Sequence, residues 1–204
     1  MPNLNLLRTF RQYLMKWKSK NTDVDWSFIR SLEGFERKGY VPQDTDGPVQ
    51  SGVTVAMGFD LGQQTQTSIA KYEFSLPLLK KLLFYVGVKG SQAKGKLKQI
   101  ALNLTDAELI ELDEKVREVY YSLIEKEYND NSDFSFSFLD GKKQTVIVSV
   151  AYQYGSLKKR CPKFFEAVTK GLWKVAASEL DDFGDAYPIR RKKEAALLRS
   201  SLQE

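Results

Sequence analysis

Residues equipped for acid and base chemistry concentrate in one stretch, Ser31 to Gly62, SLEGFERKGYVPQDTDGPVQSGVTVAMGFDLG. Carboxylates lie there among glycines and one alternating run, with few large aliphatic side chains. That is poor material for a core and good material for a cleft floor. Glu33 stands directly before Gly34, and Thr54 and Asp60 are six residues apart in the alternating run. One carboxylic acid to give a proton and one carboxylate to take one are the minimum equipment for general acid and base catalysis.

Three local pieces hold these residues. Asp25 to Leu32 places Trp26, Phe28, Ile29 and Leu32 at helical spacing, and Gly34 sits where a helix would stop. Glu33 is then the last helical residue, and the negative end of the helix dipole disfavours the charged form there, as a proton donor requires. Pro42 to Gly52 is rich in Pro, Asp, Gly and Ser and reads as a turn-rich loop. Val53 to Asp60 alternates, with Val53, Val55, Met57 and Phe59 on one side and Thr54, Ala56, Gly58 and Asp60 on the other. A strand with so small a polar face would let a bulky ligand approach its backbone. Singly, a Glu-Gly pair is ordinarily a solvated helix end and an Asp near a Gly is ordinarily a turn.

Taken together, Glu-Gly, Gly-Tyr-Val-Pro, Ser-Gly-Val-Thr and Gly-Phe-Asp-Leu-Gly resemble the active-site region of phage-type lysozymes, in the branch that includes the bacterial toxin pesticin. The resemblance implies that Glu33, Thr54 and Asp60 are catalytic. Two departures from the simpler phage pattern stand out. There the Asp precedes the Thr by six residues, whereas Asp44 and Asp46 lie ten and eight before Thr54, and the His common after the strand is missing from a chain with no His at all. Asp44 and Asp46 therefore remain alternatives for the second carboxylate.

Composition narrows the chemistry further. The 204 residues, 42% apolar, suffice for one core or for two lobes sharing a hinge. One Cys, Cys161, excludes an intramolecular disulfide, and the lack of His excludes Ser-His catalysis and His-ligated zinc. Cys161 reads as a small buried residue. A net charge of +5 suits an anionic polymer or simple solubility equally, and no nucleic-acid-binding pattern is visible. No apolar run approaches the ~20 residues of a membrane span. The first 20 residues lack the apolar segment and cleavage site of a secretory signal, so delivery by a holin, a secretion machine or a translocation domain is expected.

Around the site, the positioning elements are legible in chain order. Residues 4 to 17 carry Leu6, Leu7, Phe10, Tyr13, Leu14 and Trp17 on one stripe, predicting an amphipathic helix. Gln63 to Phe74 reads as a short helix and connector. Ser75 and Pro77 open a core helix with Leu76, Leu79, Leu82, Leu83 and Val86, ending at Gly87. Lys89 to Lys98 reads as a solvated turn entering a short helix. Thr105 and Glu108 form a capping-box pattern ahead of a helix over about 105 to 128, running to ~36 Å. FSFSF, residues 134 to 138, hints at a strand. Gln144 to Tyr152 suits a strand by its β-branched content and a helix by its spacing; Ala-Tyr-Gln-Tyr-Gly at 151 to 155 resembles the end of the buried central helix of phage-type lysozymes, which decides for helix. Helices are predicted over 163–170, 172–183 and 188–202.

The resemblance covers most of residues 25 to 204 and implies an α+β, mostly α, two-lobed lysozyme-like fold. A small antiparallel-sheet lobe would span about 25–75 and a larger helical lobe about 76–204, with a cleft between, and residues 1–24 form an N-terminal helix and connector outside it. It implies a peptidoglycan hydrolase that cuts the β-1,4 bond between N-acetylmuramic acid and N-acetylglucosamine, without metal or cofactor. Gln153 is implied to face the cleft and Arg190 to pair with Glu33, a neighbour that favours the charged carboxylate and so opposes the dipole. Tyr40 and Tyr187 are further candidates for the cleft lining, while Arg191, Lys192 and Lys193 read as a solvated basic run. The expected setting is the wall in the periplasm of a target or host cell, the expected form a monomer, and the expected partner a specific immunity or inhibitor protein. A lytic transglycosylase needing only the Glu and a non-catalytic wall-binding module are the rival readings; a nucleic-acid binder is more distant.

One geometric demand accompanies the assignment. Six residues of extended strand would part Thr54 from Asp60 by ~20 Å, too far to share one water. The chain must therefore turn near Gly58. A water-bridged inverting pair would hold its carboxyl groups ~6.5 to 9.5 Å apart, and a retaining pair ~5 to 5.5 Å.

Overall fold

Asp25 starts the first helix. In the computed structural model of the chain, which describes residues 23–42 and 51–203, Asp25 Oδ1 accepts from the backbone N–H groups of Ser27 at 3.0 Å and Phe28 at 3.1 Å. Helix α1 (Trp26–Glu33) comes next, with Trp26 and Ile29 buried, and Gly34 ends it at φ 75°. The predicted N-terminal helix over residues 4–17 lies outside the described residues, as do Asp44 and Asp46.

Strands β1 (Glu36–Tyr40), β2 (Thr54–Ala56) and β3 (Phe59–Asp60) form one antiparallel sheet in the order β1-β2-β3. The run expected as a single alternating strand is in fact a hairpin. Met57 and Gly58 make the turn, with Gly58 at φ 84°, a conformation glycine adopts freely. Val55 pairs with Phe59 and Thr54 with Asp60, so folding the run in two preserves the parity of its alternation. Val55 and Phe59 enter the core, and Thr54 and Asp60 share the other face.

The described residues group into two compact units, one within Glu33–Tyr120 and one of those from 23 to 32 with those from Tyr121 onward. The sheet shares its core with the helices after it in the chain. Val53, Val55, Phe59 and Leu61 cluster with Leu78, Leu82, Tyr85, Leu102, Leu109, Leu112 and Val116. Helices α2 (Gln66–Ala70), α3 (Leu76–Leu83), α4 (Gly90–Gln99) and the first part of α5 (Asp106–Asn129) belong to this unit. The capping box of α5 is present as predicted: Thr105 N donates to Glu108 Oε2 at 2.8 Å, and Glu108 N to Thr105 Oγ1 at 3.3 Å. In α3 the buried pair is Leu78 and Leu82, whereas Leu76 and Leu83 are exposed. Ser75 stands at the cap position, but its hydroxyl donates to Glu111 Oε2 at 2.8 Å instead of capping.

In the other unit α6 (Gly141–Tyr154) is buried at every position from Gln144 to Ala151. Its β-branched residues are helical because burial on all sides outweighs local propensity. FSFSF holds a 3₁₀ turn, Phe136–Phe138, instead of a strand, with Phe136 buried and Phe138 exposed. Helices α7 (Leu157–Arg160), α8 (Pro162–Thr169), α9 (Trp173–Asp181) and α10 (Pro188–Ser200) complete it, α10 packing on α9 and α6. Cys161 is buried, and burial pushes its thiol up to about 11. Among the described residues no helix is long and apolar enough to cross a membrane.

Glu194, fully buried, ties α10 to α6. It accepts from Arg190 Nε at 3.0 Å, Ser149 Oγ at 2.5 Å and Arg191 Nη1. Glu194→Ala removes the acceptor these groups share and is expected to lower stability by ~3–5 kcal/mol, read by equilibrium urea unfolding. Glycines behave oppositely by place. A Cβ on Gly52 would come within 2.4 Å of Gly62 Cα, so Gly52→Ala is expected to destabilise, whereas Gly95, inside α4 with nothing within 4 Å of its would-be Cβ, is expected to gain ~0.5–1 kcal/mol on mutation to Ala. Paired thermal melts of the two variants check both signs.

Candidate active site

Glu33 closes α1, half-buried, with its Oε1 buried. Its charge reaches two phenols of its own unit. Tyr40 is held above the usual tyrosine range by burial first, then by Glu36, Asp60 and Glu33, and Tyr120 by burial and then Glu33. Both hydroxyls therefore stay neutral donors. Tyr120 has no counterpart among the predicted site residues, because on α5 it continues the stripe of Val116 and Val119 and nothing in its spacing separates it from core.

Tyr40, Thr54 and Asp60 form one rank across the sheet. Tyr40 pairs with Thr54 in the β1–β2 ladder, and Thr54 with Asp60 in the hairpin, so the three side chains share a face. The turn at Met57 and Gly58 meets the demand that Thr54 and Asp60 lie close. Tyr40 is 38% exposed and Thr54 is buried.

The backbone of Gly52 joins the two polar partners. Its N–H donates to Asp60 Oδ1 at 3.0 Å, and its carbonyl accepts from Thr54 Oγ1 at 3.3 Å. Gly62 N adds a second bond to Asp60 Oδ1 at 2.8 Å, capping the 3₁₀ turn Leu61–Gln63. Gly52 and Gly62 lie back to back, and a Cβ on either would also strike Val88 O. The glycines at 52 and 62 serve backbone-to-backbone contact.

The remaining predicted residues belong to the other unit. Arg190, on α10, is buried and donates through Nη2 to Ser149 O at 2.8 Å, besides its bond to Glu194. Arg191, read as solvated, is 1% exposed. Its Nε donates to Asp185 Oδ2 at 2.8 Å and its Nη2 to Gln153 Oε1, while its guanidinium stacks 4.6 Å from the Phe183 ring centre. The basic run is helical, so two of its members turn inward. Gln153, half-buried at the end of α6, has its amide oriented by that bond. Tyr187 is exposed at the N-cap of α10, its N–H donating to Asp185 Oδ1 at 3.0 Å.

Comparison with known proteins agrees with this architecture. The family model of pesticin, described as the C-terminal part of a bacterial toxin homologue of phage lysozyme, matches residues 23–174. No curated protein sequence matches the chain. Among solved structures, the active form of the P1 phage endolysin Lyz superposes with a TM-score of 0.53 at 16% identity, over 91% of this chain and 90% of the endolysin; that likeness is one of fold. The family match spans well over half of the chain, which therefore belongs to the pesticin family of toxin homologues of phage lysozyme and is a lysozyme-like protein acting on peptidoglycan.

Proposed function

We propose that this protein is an N-acetylmuramidase that hydrolyses the β-1,4 bond between N-acetylmuramic acid and N-acetylglucosamine. Glu33 protonates the departing glycosidic oxygen. Thr54 and Asp60 hold a water on the opposite face of the sugar, and Asp60 draws off part of its proton as it attacks. The observation that carries this reading is the pairing of Thr54 with Asp60 across the hairpin, with Gly52 bonded to both. The bonds from Gly52 and Gly62 fall on Asp60 Oδ1, which leaves Oδ2 for the water. Tyr40, neutral and partly exposed in the same rank, is a donor to substrate. Arg190 and Gln153 keep the supporting roles that the family resemblance implies, and Tyr187 stays a candidate for the cleft lining.

The toxin side of the family supports an antibacterial effector, bacteriocin or endolysin acting on the wall in the periplasm, with a specific immunity protein as partner. One observation favours a second reading. An Asp that accepts two backbone N–H bonds is well explained as a structural cap, and a lytic transglycosylase would need only Glu33.

Purified peptidoglycan digested by wild type, Glu33→Gln and Asp60→Asn, with fragments identified by mass, separates the two. Asn keeps an oxygen for Gly52 and Gly62, so the cap survives while the base is lost. Hydrolysis predicts reducing fragments from wild type and losses of ~10²–10⁴-fold in both variants. Anhydro sugars with Asp60→Asn near wild-type rate would make the protein a transglycosylase, and no products at all would leave a wall-binding module.

A further inference from the structure

The turn that registers Thr54 against Asp60 has its side chain inside the protein. Met57 is 1% exposed, and its Sδ accepts from Arg117 Nη2 at 3.4 Å. Arg117 is 0% exposed and lies on α5 with Asp113 one turn earlier; Nη2 stands 2.6 Å from Asp113 Oδ2, itself a buried group. All of these residues belong to the same unit as Glu33, Thr54 and Asp60.

A buried ion pair is an expensive way to fill a core, since apolar residues of like volume are often as stable or more so. Its distinctive property is direction. A methionine side chain has three soft torsions and repacks readily, and a buried guanidinium whose Nη2 lies against both a carboxylate oxygen and the sulfur restricts where that sulfur can sit. The turn has need of such restriction. Ala56 is held at φ 56° beside Gly58 at φ 84°, and a non-glycine residue there persists only where its surroundings over-determine it.

We propose that Asp113 and Arg117 are positioning residues for the reaction proposed above, acting through Met57 on the β2–β3 turn and so setting where Thr54 and Asp60 hold the water. This rests on the muramidase reading. Its structural half is tested without it.

The test uses the double variant Asp113→Leu/Arg117→Met, which removes both charges together, and Met57→Leu, which removes only the sulfur. Thermal melts, amide exchange of Gly52 and Gly62, and peptidoglycan hydrolysis are measured on each. The double variant is expected to melt at or above the wild-type temperature, with the two glycine amides exchanging about tenfold faster as the Asp60 carboxylate loosens. Its kcat is expected to fall by ~10²-fold with KM little changed, as misplacement of reacting groups does, and Met57→Leu is expected to show the same changes in lesser degree. Unchanged exchange and kcat in a folded double variant would overturn the inference, as would a loss confined to KM. Should the double variant not fold, Met57→Leu decides by the same two readouts. Faster exchange in a protein whose wild type releases no fragments would sink the muramidase reading and leave the positioning role standing.

Discussion

Two glycines pressed backbone to backbone are the constraint on which the sheet unit depends. Gly52 and Gly62 approach so closely that a methyl on either would meet main-chain atoms of the other and of Val88. That contact brings the Gly52 amide and carbonyl to Asp60 and Thr54, on opposite sides of one peptide segment. Side chains of any size at 52 or 62 would part the segments and separate the two polar groups with them. The polar face of the hairpin is thus set by main-chain packing, and its side chains need only be short.

Among the described residues, buried charge is used twice, once in each unit, and in each case the charge is directional. Arg117 and Asp113 lie beneath the hairpin turn. Arg190 and Arg191 converge on Glu194, with Ser149, Gln153 and Asp185 completing the set. Such groups add little net stability over apolar replacements, but each tolerates few geometries, because a buried charge must keep its partner close. They convert helix packing into fixed orientations of the residues beside them, Met57 in one unit and the Gln153 amide in the other.

Much of this is legible from residue order. Glu33 closes its helix because Asp25 caps it, an apolar stripe buries it and Gly34 ends it, all within ten residues. The capping box of Thr105 and Glu108 is likewise local. Gln144 to Tyr152 reads as helix by resemblance against its own β-branched content, and its burial on every side explains why propensity lost. The failures share one origin. Leu76 and Leu83 differ from Leu78 and Leu82 only in what lies opposite them, FSFSF alternates without a neighbouring strand to pair with, and the basic run from Arg190 gives no local sign that Arg191 turns inward.

What the sequence alone determined is therefore whatever a few neighbouring residues can enforce: where helices start and stop, that Thr54 and Asp60 share a parity opposite to Val55 and Phe59, and which reaction classes a chain without His excludes. Tertiary structure alone decided that this parity becomes a face-to-face pair, that Gly52 and Gly62 touch backbone to backbone, and that Tyr120 lies within reach of the Glu33 charge. Those facts depend on contacts between segments far apart in the chain. Periodicity carries the direction of a side chain along its own element, but the identity of its neighbour exists only once the elements have packed.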